Sequence, residues 1–168
     1  MAHESIRQQL IGAWELIEYV AYLPDDPSNK VHPMGPNATG IIMYTPDGYM
    51  SAQLLKPNQA AFDTAQGTAN EWAQVGKKFI GYTGQFYLDE RGDEKGRPIL
   101  IHHMRNASLP SLRGDKQRRL VGFSNESDGK YLVLGVEGTV AIGTERRVLQ
   151  LRWRRLPYND KTTPQENL

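Results

Sequence analysis

Residues Thr39–Leu55 read TGIIMYTPDGYMSAQLL, two runs rich in β-branched and aromatic residues around Thr45-Pro46-Asp47-Gly48. Pro46 presets φ and Gly48 tolerates a positive φ, so the stretch predicts a tight hairpin between strands Thr39–Tyr44 and Tyr49–Leu55. Working outward, the same rhythm of strand and turn recurs. Trp14–Tyr22 (WELIEYVAY) alternates apolar and polar residues at its start, and Tyr82–Leu88, Ile99–Arg105, Arg118–Phe123, Tyr131–Glu137 and Arg146–Arg154 supply five more strands. The links Asp89–Arg97, Ser124–Gly129 and Gly138–Thr144 carry Gly, Asp, Asn, Ser or Thr, as hairpin loops do. Eight strands joined mainly as consecutive hairpins predict an all-β, antiparallel up-and-down barrel, because closure removes both sheet edges and leaves room for one small ligand. One segment departs from the pattern. Trp72, Val75 and Phe79 lie at helical spacing, which predicts a short helix over Ala69–Ile80, between strands three and four, capped by Asp63 or Thr68 and able to plug a barrel mouth.

Composition agrees with a single ordered domain over 1–168, with a core at about 10–156 and a polar tail at 157–168. Twenty Lys and Arg against 19 Asp and Glu give a net charge of +1, and no basic stripe is interleaved with aromatics, so nucleic acid is not an expected partner. No long apolar run predicts membrane insertion, and the opening ten residues lack the apolar core of a signal peptide; a cytoplasmic location follows as an expectation. The absence of cysteine excludes disulfides, thiolate nucleophiles and Cys-ligated metals. No Walker loop, nucleophile elbow or dinucleotide fingerprint occurs.

Gly12-x-Trp14 opens the first strand and Arg152-Trp153-Arg154-Arg155 closes the last. The pair resembles the lipocalin arrangement, in which an arginine of the final strand stacks over a tryptophan at the closed barrel end; Arg152 or Arg154 is the expected partner of Trp14. Gly35-Pro36-Asn37-Ala38-Thr39-Gly40, the run Ile42–Ala52, Tyr82-Thr83-Gly84-Gln85-Phe86, His102-His103 and Gln117-Arg118-Arg119 are similar to the bacterial and fungal lipocalin-like domain family, over roughly Leu10 to Arg155. The resemblance implies a calycin barrel with an internal cavity and no single reaction. Haem-binding barrels related to it continue Gly-x-Trp with further glycines, where this chain has Glu15-Leu16-Ile17. No cofactor is expected, and the histidine spacing offers no metal site.

Candidate chemistry rests on His, Tyr and Arg. Adjacent strand residues face opposite ways, so one of His102 and His103 points inward; His103, sharing a face with Ile99, Ile101 and Arg105, is preferred as a general base. Tyr82 and Arg119 complete the catalytic candidates, the phenol orienting a carbonyl and the guanidinium stabilising an oxyanion. Tyr44, Tyr49, Gln53, Gln85, Tyr87 and Arg105 are candidates for ligand contact. Arg105 and Arg119 hold an anion if inward and are solvated if outward; Arg119, alternating with Val121 and Phe123, is the stronger inward candidate. Two functions fit: a cofactor-free isomerase or cyclase acting on a polyketide-like or terpenoid molecule, or a carrier of a small apolar or amphipathic ligand. A homodimer through a barrel edge or Phe62–Phe79 is compatible with either.

Overall fold

A computed structural model describes residues 4–162 and 164. The predicted central hairpin forms as β3 (Thr39–Tyr44) and β4 (Tyr49–Leu55), with Gly48 N donating to Thr45 O at 3.1 Å across the turn. The other long strands are β1 (Gly12–Leu23), β5 (Phe79–Asp89), β6 (Ile99–Ala107), β7 (Lys116–Glu126), β8 (Gly129–Gly135) and β10 (Glu145–Arg155). Two short strands, β2 (Asp26–Val31) and β9 (Val140–Ile142), extend β1 and β10. The sheet runs β2-β1-β3-β4-β5-β6-β7-β8-β10-β9, and β1 also pairs with β10. That pairing closes eight antiparallel strands into a barrel with no free edge along its length.

One end of the barrel is sealed. Helix α1 (Ile6–Leu10), opened by a Ser5–Gln8 capping box, brings fully buried Leu10 beneath Trp14, whose Nε1 donates to Leu10 O at 2.9 Å. The β1–β10 register sets Trp14 opposite Arg155, and Arg155, not Arg152 or Arg154, covers the indole at 4.6 Å from its centroid. Arg152 and Arg154 belong to the outer face, since side chains alternate along β10. Arg152 lies over Tyr131 at 3.8 Å, and Arg154 Nε donates to Glu15 at 2.8 Å. Gly12 is glycine for two reasons: its φ is +126°, and a Cβ there would stand 2.9 Å from the Arg155 guanidinium carbon.

Helix α2 (Ala69–Lys78) lies between the third and fourth barrel strands, capped by Thr68 through a box with Glu71. It ends two residues before the expected Ile80 because Phe79 and Ile80 are already extended, paired with Leu55 and Leu54. None of its side chains is fully buried, Glu71, Val75 and Lys78 being half-buried, and the helix packs beside β5. Trp72, half exposed, meets Phe62 edge-on at 5.2 Å. Part of the polar tail expected at 157–168 lies outside the described residues; what is described of it forms no strand or helix.

Two bulges decide which side chains enter the barrel. On β1, Leu16 pairs with Trp153 but Glu18 with Arg152, so Ile17 is an extra residue. Trp14 and Leu16 face inward before it, and Tyr19 and Ala21 after it. On β6, Arg105 is extra between Met104 and Asn106. Gly84 faces this second bulge so closely that a Cβ would fall 1.8 Å from His103 O. Gly84→Ala therefore displaces backbone, and the expected loss is about 1–3 kcal/mol in denaturant unfolding.

Candidate functional site

Alternation carried across the strand pairs points His102, not the preferred His103, into the barrel. Phe86 pairs with His102 and His102 with Gln117, placing all three on the inward face. His102 is fully buried, as is Tyr44, and the Tyr44 hydroxyl and His102 Nε2 share a hydrogen bond of 2.9 Å. Phe86 holds the Tyr44 ring edge-on at 5.2 Å, and the Tyr82 ring lies 6.2 Å from the imidazole. His102 Nδ1 has no hydrogen-bond partner among the described residues.

Arg119 enters from β7, two residues from Gln117, to which its Nη2 donates. Its charge reaches Tyr19, Tyr44, Tyr82 and His102 alike, which gathers these groups into one electrostatic cluster. Burial raises the pKa of all three phenols above the ordinary 10.0, Tyr44 most, with Arg119 opposing the shift in each. Burial, and secondarily the Arg119 charge, lowers that of His102 to about 3. At neutral pH the imidazole and phenols are therefore uncharged, and Arg119 supplies the cation.

The cluster has two depths. Tyr44 and His102 are sealed beneath the packing, whereas Tyr19, Tyr82, Gln117 and Arg119 are inward-facing yet remain partly accessible. The accessible groups can donate hydrogen bonds and hold negative charge on a guest. A sealed neutral imidazole is poorly suited to taking a proton from one. His102 also carries a pH signature. Its folded pKa lies below the ordinary 6.5, so the unfolded chain binds the extra proton first. The stability it contributes is complete above 6.5 and falls as pH drops toward about 3, by about 1.4 kcal/mol per pH unit within that window. Thermal melts across this range should show a shallower acid decline for His102→Gln than for the parent.

The remaining candidates stand outside. Tyr49, Gln85 and His103 pair across β4, β5 and β6 on the outer face, Tyr87 follows two positions along, and Gln53 is exposed. Tyr49, His103 and Arg105 join Arg113 around an open surface concavity of ≈ 580 Å³. Of the expected site residues, the fold thus assembles Tyr44, Tyr82, His102 and Arg119 and separates the other six from them. Tyr19 and Gln117 join the cluster unforeseen. Gln117 was legible as the alternation partner of Arg119; Tyr19 was hidden by the β1 bulge.

Among the described residues no group of three or more His, Cys, Asp or Glu is placed to hold a metal ion, and no helix is long and apolar enough to cross a membrane. No curated protein matches the chain. The family model of the lipocalin-like domain matches residues 11–156, the span from the Gly12-x-Trp14 base to the end of the closing strand. With the closed eight-stranded barrel, that match establishes that the chain belongs to the lipocalin-like domain family.

Proposed function

We propose that the barrel takes a small amphipathic organic molecule with its polar end at Tyr19, Tyr82 and Arg119, and acts on it as a cofactor-free isomerase or cyclase of the polyketide or terpenoid kind. The observation that supports this reading is the two-depth cluster: accessible donors and a cation above a sealed, neutral Tyr44–His102 pair. Arg119 and Tyr82 would stabilise an enolate or developing alkoxide, and the barrel wall would hold a flexible chain in a reactive fold. The proton steps then belong to the substrate's own enol and carbonyl groups. His102 is a positioning residue, fixing the Tyr44 hydroxyl and packing beneath Tyr82. Its sealing also favours a second reading, in which the protein is a carrier and the same groups only anchor cargo.

Native mass spectrometry of the purified protein, with analysis of whatever denaturation releases, separates the two. A carbonyl-bearing ligand that is converted to an isomer on incubation with fresh protein is expected for the catalyst. A ligand that stays unchanged and bound through repeated dilution establishes the carrier. Once a turnover assay exists, Arg119→Met and Tyr82→Phe should each lower kcat by about 10²-fold or more, the usual loss for one oxyanion donor.

A further inference from the structure

The inward faces of the eight barrel strands carry no carboxylate below the rim, where exposed Glu145 pairs with Arg147. Arg119 stands among them with neutral Gln117 as its hydrogen-bond partner and no ion pair among the described residues. Its charge acts on three phenols and an imidazole, none of them a carboxylate. A partly accessible guanidinium that faces the interior without a carboxylate to pair with is an incomplete arrangement, which a guest anion completes.

The β1 bulge is what keeps it incomplete. With strict alternation from Trp14 and Leu16, the next inward residue would be Glu18, a carboxylate directed at the position Tyr19 now occupies. The extra Ile17 sends Glu18 outward, to within 4.0 Å of Lys30 and 3.8 Å of His32, and brings in a neutral phenol. The fold thus excludes the one acidic side chain of β1 that would have neutralised Arg119 from this strand position.

We infer that the molecule the barrel takes is an organic anion, an apolar body bearing one carboxylate or enolate, whose charge pairs with Arg119 while Tyr19 and Tyr82 donate to it. This rests on the proposal that the barrel interior is the binding site.

The test uses two fluorescent probes of nearly the same shape, anionic 8-anilinonaphthalene-1-sulfonate and neutral N-phenyl-1-naphthylamine, titrated into the full chain at neutral pH. The expected result is at least about tenfold tighter binding of the sulfonate, the gain of one charge-assisted pair. Arg119→Met should remove that preference without weakening the neutral probe, and Arg119→Lys should keep it. Equal binding of both probes overturns the anion inference and leaves the barrel site standing. Binding of neither overturns both. A preference that disappears instead in Arg105→Gln/Arg113→Gln belongs to the outer concavity and also overturns the inference. Should Arg119→Met fail to fold, displacement from the parent protein decides: 1-naphthoate should displace N-phenyl-1-naphthylamine at lower concentration than 1-naphthalenemethanol, and equal potency counts against the anion.

Discussion

Replacing Trp14 with Ala lowers the unfolding free energy by about 3–5 kcal/mol, toward the upper end for a core aromatic. The indole has no exposed surface, Arg155 covers one face, and Phe123 lies 6.1 Å away. A closed barrel base cannot collapse around the vacancy, because the strands that would move inward are hydrogen-bonded to neighbours on both sides. Leu10 O also loses its partner at the sealed end. The melting temperature should fall by about 10 °C. The second indole provides a contrast. Trp153 is equally buried, but its Nε1 has no hydrogen-bond partner among the described residues. Trp153→Phe should therefore cost less than Trp14→Phe in chemical denaturation; the reverse order would remove the Leu10 hydrogen bond from any account of the base.

Arg147→Met is the second large effect, an expected loss of about 2–4 kcal/mol, read in the same denaturation experiment. Arg147 is 3 % exposed, and its Nη1 donates to Ala21 O at 3.3 Å and to Asn29 O at 2.9 Å, while Nη2 reaches Asn29 Oδ1 at 2.9 Å. It also pairs with Glu145, but that carboxylate is nearly half exposed, and an ion pair so placed contributes little. The weight lies on the acceptors of β1 and β2, which methionine covers with apolar atoms and leaves unbonded. Glu145→Gln should accordingly change stability by less than about 0.5 kcal/mol. If the two variants prove equally damaging, the ion pair and not the buried carbonyls holds β2 to the barrel.

Strand positions, the central hairpin and the closure of the barrel were legible because turn residues and β-branched runs are local signals. Inward and outward were harder, for two physical reasons. On β6 both faces are apolar: Leu100 and Met104 line the interior, while Ile99, on the outer face, is also fully buried. Alternation then carries no contrast, and His102 and His103 could not be told apart from the sequence. On β1 the alternation itself is interrupted. WELIEYVAY keeps its period from Trp14 to Leu16, and a residue later the pattern restarts on the opposite parity, with Tyr19 inside. A bulge leaves no composition signature when the extra residue is an ordinary strand former such as Ile17. The stacking arginine was misplaced, to Arg152 or Arg154 instead of Arg155, for a related reason. Trp14 stands opposite Arg155 in the register, and register between the first and last strands is a long-range property.

The extra residue on β1 has a consequence for how this protein can diverge. Loss of the single codon for Ile17 would remove the bulge and leave the ladder continuous with every later residue on its present side, since Glu18 already stands opposite Arg152 and Tyr19 opposite Leu151. Glu18 would stay outward and Tyr19 inward, so the charge of the interior would be unchanged. The first strand can therefore lose one residue at this point and keep the same interior, a length change of the kind usually confined to loops. Relatives whose first strand differs by one residue near this position are best compared by the side each residue faces, because aligned letters there need not occupy the same space.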